Sequence, residues 1–197
     1  IGRVAGLENW KKAHAKGKGV IFLSSHMGNW ELMAGAGGMA LKGAPLTMPT
    51  RYLKPEWLLK KMEDSRRSTG VSPAYMPNTF PILLRALRKG ESTGFVMDQY
   101  APPPMGIPAM FFGVKVDTLA AIGTFVQRYG SAVVPVLTLR QPDGTVLITF
   151  EPELELGEAA QDPAASTQIL VSRVERWIRD NPSQWLWVHR RFKNIGP

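Results

Sequence analysis

Short apolar runs alternate along this chain with longer stretches of helical periodicity, and that alternation limits the fold more than any other feature. Residues 20–23, Val-Ile-Phe-Leu, read as a buried strand, residues 46–50 as a second and residues 93–97 as a third. A strand apolar on both faces needs cover on both, which parallel sheets obtain from crossover helices. The intervening stretches supply them. Leu7, Trp10 and His14 fall at i, i+3 and i+7 of a helix over residues 7–15, which Gly17 and Gly19 stop. Residues 30–41 read as a helix rich in small residues. Pro55 opens another, running to about Arg67. Asn78 and Pro81 start one that ends near Gly90.

The second half changes character. Residues 100–113 place Pro102, Pro103, Pro104 and Pro108 among Met105, Ile107, Met110, Phe111 and Phe112, and read as an apolar loop of irregular backbone. Asp117 or Thr118 is expected to cap a helix to about Tyr129. Residues 132–139 and 146–150 flank Pro142-Asp143-Gly144, a hairpin signal. A loop over residues 151–162 holds five acids, and residues 166–179 are amphipathic. The expectation is an α/β fold: a mostly parallel mixed sheet flanked by helices, with an antiparallel edge and a C-terminal β-hairpin and helix. No repeat, linker or low-complexity segment divides the chain, so one domain over residues 1–197 is expected. A chain of that length, 44% apolar, can bury a core without staples. It has no cysteine, which excludes a disulfide scaffold, a zinc ribbon and a thiol nucleophile.

Charge is uneven. The first 90 residues carry 15 Lys/Arg against 5 Asp/Glu, and the remainder 9 against 11. The positive half favours an acidic partner: an anionic membrane, a phosphorylated ligand, an acidic protein or nucleic acid. No apolar run approaches the roughly 18–20 residues of a membrane span. The sequence begins at Ile1, in what reads as a lead-in to a helix, so an upstream membrane-anchor segment is expected to be missing.

Chemistry concentrates in Ser24-Ser25-His26-Met27-Gly28-Asn29-Trp30-Glu31. His26 follows the carboxyl end of a strand and precedes a helix, where α/β folds place their sites, a position that suits a general base. Glu31 lies five residues on, about 140° around a regular helix at roughly 100° per residue. The two meet only if His26 sits before the helix and folds back over its first turns; Glu31 then orients the imidazole. The alternative is a turn-capping histidine and a surface glutamate. Asp98-Gln99, at the end of a strand, reads either as a site pair facing His26 or as a capping pair. Residues 185–191 interleave aromatics with base, and there packing of the tryptophans is favoured, with Arg190 and Arg191 near phosphate groups and His189 structural. Two motifs are set aside. Gly90-Glu91-Ser92-Thr93-Gly94 matches a nucleophile elbow, but in the order helix, turn, strand. Gly35-Ala36-Gly37-Gly38-Met39-Ala40 matches a loose dinucleotide fingerprint, but inside a helix. His14, His26 and His189 have no metal-ligand spacing, so no metal is expected.

His26–Glu31 has the His-(x)4-acid form of the glycerolipid and lysophospholipid acyltransferase superfamily. The sequence closely resembles one branch, the lipid A biosynthesis lauroyl/myristoyl acyltransferases. The matching blocks are His26-Met27-Gly28-Asn29-Trp30-Glu31, Thr50-Arg51, Asp98-Gln99, Phe111-Phe112-Gly113, Val134-Pro135-Val136 and residues 184–193, in order across nearly the whole chain.

The resemblance implies a glycerolipid-acyltransferase-like fold. It implies transfer of an acyl chain from an acyl carrier protein thioester, or acyl-CoA, to a hydroxyl of a lipid A precursor. His26 would be the general base, oriented by Glu31, and no acyl-enzyme would form. Arg51 is the candidate for the oxyanion or a phosphate, with Asn29, Asp98, Gln99 and Arg190 as further substrate or oxyanion candidates. No cofactor or metal is implied beyond the acyl co-substrate. The partners would be acyl carrier protein, a lipid acceptor and the inner-membrane surface, with no nucleic acid. The location would be the cytoplasmic face of a bacterial inner membrane. A lysophospholipid or other glycolipid acceptor is the alternative, and a noncatalytic basic module for nucleic acid or membrane a further one. The apolar residues of 100–113 would line an acyl pocket or touch the bilayer.

Overall fold

The computed structural model describes residues 2–193; Ile1 lies outside them. Strand β1 (Arg3–Ala5) and helix α1 (Leu7–His14) lead into β2 (Val20–Ser24), α2 (Trp30–Ala40), β3 (Leu46–Thr50) and α3 (Glu56–Arg67). Next come β4 (Val71–Tyr75), α4 (Thr79–Arg88), β5 (Ser92–Val96), β6 (Gly106–Phe111) and β7 (Val114–Leu119). The described chain continues with α5 (Ala121–Tyr129), β8 (Ala132–Arg140), β9 (Val146–Phe150) and α6 (Pro163–Asp180).

Seven strands form one sheet in the order β1-β9-β8-β2-β5-β3-β4. Every neighbouring pair is parallel except β8 and β9. The alternation of short apolar runs and helices therefore produces the mostly parallel, helix-flanked sheet it implies. All five residues of β2 are buried, because helices cover both of its faces. Ile21 and Leu23 point into a core shared with α4, α5 and α6, while Val20 and Phe22 point into one shared with α1 and α2. Among the described residues, no helix is long and apolar enough to cross a membrane.

Three expectations need correction. Residues 100–113 are not all irregular: β6 and β7 pair as an antiparallel hairpin from Gly106↔Leu119 to Phe111↔Val114. Pro108 is tolerated there because a two-stranded ribbon has free edges that require no N–H. Asp117 and Thr118 lie in β7, and α5 begins at Ala121 behind Ala120. The hairpin of β8 and β9 does not end the sheet, since β1 pairs in parallel outside β9.

Small residues let α2 approach the α3–β4 connection. A Cβ on Gly38 would stand 2.4 Å from the Thr69 carbonyl oxygen and 2.8 Å from Val71 Cγ2. Gly38→Ala is therefore expected to cost about 1–3 kcal/mol of stability through overpacking, read as a lower urea midpoint at unchanged slope.

Candidate active site

The site begins with strand register. β2 and β5 are parallel neighbours with Ser24 opposite Val96. One residue on, the Met97 N–H donates to the Ser24 carbonyl at 3.0 Å. His26 and Asp98 each lie two residues past their strand, so the two carboxyl ends deliver them together. The His26 backbone N–H donates to Asp98 Oδ2 at 2.8 Å, and His26 Nδ1 stands 2.8 Å from Asp98 Oδ1. Trp185 Nε1 donates to Asp98 Oδ2, also at 2.8 Å.

Asp98 is fully buried. Burial alone pushes its carboxyl up, but the hydrogen bond and charge of His26, with the Trp185 and backbone N–H groups, outweigh it and hold the group below its ordinary value. An ionised carboxylate only accepts. The neutral imidazole of His26 therefore carries its proton on Nδ1 and leaves its lone pair on Nε2. That is the tautomer a general base needs.

The turn between β2 and α2 explains the residues after His26. Gly28 has φ +54°, and a Cβ there would stand 2.6 Å from the Thr138 carbonyl oxygen, so glycine is required. Asn29 caps α2, its Oδ1 accepting from the Leu32 N–H at 3.0 Å. Trp30 meets the His26 ring edge-on, with centroids 5.1 Å apart.

His26 opens into a cleft of about 510 Å³, within the range typical of small-molecule sites. Its polar lining includes His26, Glu31, Arg51, Arg66, Gln99 and His189. Its apolar lining includes Leu53, Met62, Met76, Phe80, Met105 and Leu119. Of the apolar residues in 100–113, Met105 lines the cleft while Phe111 is fully buried.

Glu31 lines this cleft but does not orient His26. Its half-exposed carboxylate takes a bidentate contact from Arg66 Nη2 at 2.7 and 2.8 Å, and Arg66 Nη1 also donates to Thr50 at 3.2 Å. Glu31 thereby ties the first turn of α2 to α3, and the acid on the imidazole is Asp98. Arg51 is exposed at the rim. Asn29 serves as a helix cap outside the cleft lining, and Arg190 is likewise exposed and outside it. Arg191, expected near phosphate groups, is instead engaged by acceptors of the protein itself. It is 1% exposed and donates to the Gln99 carbonyl at 2.6 Å, the Asp117 carbonyl at 2.9 Å and Thr118 Oγ1 at 2.5 Å. Burial lowers its pKa to about 10, which leaves it charged at neutral pH.

Sequence reasoning missed His189 as a site residue. It lines the cleft, and its ring lies 4.4 Å from that of His26, centroid to centroid. The only signal was its place in the C-terminal matching block, which does not separate a site histidine from a packing one. Ser92, the serine of the elbow motif, begins β5 and accepts from Trp10 Nε1 at 3.1 Å.

Residues 3–194 match the family model described as bacterial lipid A biosynthesis acyltransferase. The chain is 28% identical over 195 residues to the lipid A biosynthesis palmitoleoyltransferase of Escherichia coli (strain K12), covering 96% of this chain and 61% of that protein. It is 27% identical over 203 residues to the lipid A biosynthesis lauroyltransferase of the same organism, again covering 96% and 61%. A lipid A biosynthesis acyltransferase of Haemophilus influenzae is 24% identical over 187 residues, covering 93% and 56%. The chain thus spans about three fifths of the length of the curated relatives it matches.

Proposed function

The chain belongs to the bacterial lipid A biosynthesis acyltransferase family, and on that premise we propose that it moves a fatty acyl chain from a carrier thioester to a hydroxyl of a lipid A precursor. The observation that carries this reading is the Asp98–His26 pair, whose Nε2 lone pair, met by the Gln99 amide at 3.3 Å, faces a cleft lined by apolar side chains together with Arg51 and the Glu31-paired Arg66. The acceptor hydroxyl gives its proton to His26 Nε2 as its oxygen attacks the thioester carbonyl carbon. Asp98 holds the imidazolium that forms. The tetrahedral intermediate collapses with cleavage of the carbon–sulfur bond, and the departing thiolate takes the proton back from His26. The products are an ester and a free thiol. The thioester supplies the driving force, and the step calls for no metal or cofactor.

Developing charge on the carbonyl oxygen needs a donor fixed in advance. The Gln99 amide beside Nε2 supplies one, and Arg51 at the rim offers a second or a grip on phosphate. Glu31 acts through Arg66, holding that guanidinium on the cleft wall. Acyl carrier protein is the proposed donor, with acyl-CoA the alternative, and the positive half of the chain suits an acidic carrier. The proposed place of work is the cytoplasmic face of the inner membrane. Exposed Tyr52, Trp57 and Leu58 beside exposed Lys54, Lys60 and Lys61 support contact with an anionic bilayer there.

The test is incubation of the full chain with radiolabelled acyl carrier protein thioester and a lipid A precursor. A labelled ester product and release of free carrier thiol are expected in equal amounts. Intact thioester and unmodified acceptor, with a folded chain, would overturn the assignment.

A further inference from the structure

Gln99 does more than sit near the base. Its amide nitrogen lies 3.3 Å from His26 Nε2 and 3.1 Å from His189 Nε2. His26 has its proton on Nδ1, so its Nε2 accepts, and the amide group there must be the donating nitrogen. An amide nitrogen has two hydrogens. One N–H therefore goes to each imidazole, and His189 Nε2 accepts as well.

We propose that His189 is a positioning residue for acyl transfer: its Nε2 tethers the Gln99 amide so that the second N–H stays aimed at the reacting carbonyl once the acceptor hydroxyl displaces it from His26. The inference rests on the acyl-transfer reading above. Without the tether, the amide freed from His26 would rotate, and its alignment with the oxyanion would be lost.

The backbone around His189 is fixed for that task. The Leu186 N–H donates to the His26 carbonyl and the Gly28 N–H to the Gln184 carbonyl, each at 2.9 Å. Arg191 holds the Gln99 carbonyl. One segment thus grips Gln99 twice, by its backbone through Arg191 and by its side chain through His189. Tethering requires an unprotonated His189. The charged groups facing it are His26, Asp98 and Arg51. Burial lowers its pKa below 6.5 and the His26 charge lowers it further; Asp98 opposes this and Arg51 adds to it. The acceptor form therefore persists at neutral pH, and it is lost as pH falls through the lowered His189 value.

The experiment measures kcat, KM and the pH profile of acyl transfer by the full chain and its variants. His189→Leu is expected to lower kcat by about 10–100-fold, less than loss of an oxyanion donor itself, with KM within about twofold. His189→Gln, which restores an acceptor oxygen, is expected to recover most of that loss. In a Gln99→Ala background His189→Leu should cost nothing further, because its action runs through the amide. An unchanged kcat in His189→Leu would overturn the inference, as would losses from the two positions that multiply. Should His189→Leu fail to fold, His189→Gln decides. One titrating group is gone, so its acid limb should be shallower, and an unaltered limb counts against the tether. Absence of transfer by the unmodified chain removes the reading beneath it. Transfer by that chain together with an indifferent His189 removes this inference alone.

Discussion

Replacing His26 with alanine is expected to lower kcat by about 10²–10⁴-fold, the usual contribution of a positioned general base. The variant should still fold. The side chain lies at the cleft, and Asp98 keeps its two other donors, the residue 26 N–H and Trp185 Nε1. Loss of the charge-assisted bond should cost about 1.5–3 kcal/mol of stability at most. Initial rates beside a circular dichroism spectrum make the comparison. A folded His26→Ala chain with near-normal kcat would mean that another group takes the hydroxyl proton.

Asp98→Asn should produce a comparable loss by a different route. Two N–H groups converge on Oδ2, so the amide oxygen of an asparagine must take that position. Its NH2 then faces Nδ1 and donates to it. The imidazole proton moves to Nε2, and the lone pair faces the wrong way. A carboxylate-to-amide change that imposes the wrong tautomer costs on the order of 10⁴-fold in kcat where it has been measured in a catalytic triad. Nitrogen-15 NMR of His26 should show the two ring nitrogens exchanging roles; an unaltered tautomer with lost activity would disprove the explanation. The same substitution should flatten acid unfolding. Because Asp98 is held below its ordinary value, its ionisation stabilises the fold above the ordinary carboxyl range. That stabilisation fades as pH falls through its own lowered value, and an amide has none to lose.

The sequence was legible where burial is greatest. β2 appears as an apolar run because all five of its residues are buried; β5 is buried over its first four residues, β3 reads as a strand from its place between two helices although Pro49 is exposed, and the hairpin of β8 and β9 is announced by its turn. β4 was missed because it is an edge strand, Val-Ser-Pro-Ala-Tyr, with only Val71 and Ala74 buried and a proline that an edge accommodates. β6 was missed for a similar reason. At the site, His26 was legible from its place after a strand. Its partner was legible only in part: Asp98-Gln99 reads either as a site pair facing His26 or as a capping pair, and the orienting role falls to Glu31. Glu31 is near in sequence, whereas Asp98 is 72 residues away and arrives through the register of two neighbouring strands. His189 and Trp185 come from further still and sit in a stretch whose aromatics and bases favour a packing role over a place at the site.

The contact between Trp185 and Asp98 sets an order of events during biosynthesis. Trp185 closes a loop of 87 residues onto a carboxylate that His26 has already met across 72. A nascent chain can assemble β2, β5 and most of the sheet before residues 185–191 leave the ribosome. The amide fork, the indole on Asp98 and the guanidinium behind Gln99 all await the final dozen or so residues of the described chain. The surroundings of His26 are thus completed only after the strands that carry it, and a chain cut short of Trp185 presents the cleft without the indole, the amide tether and the guanidinium around it.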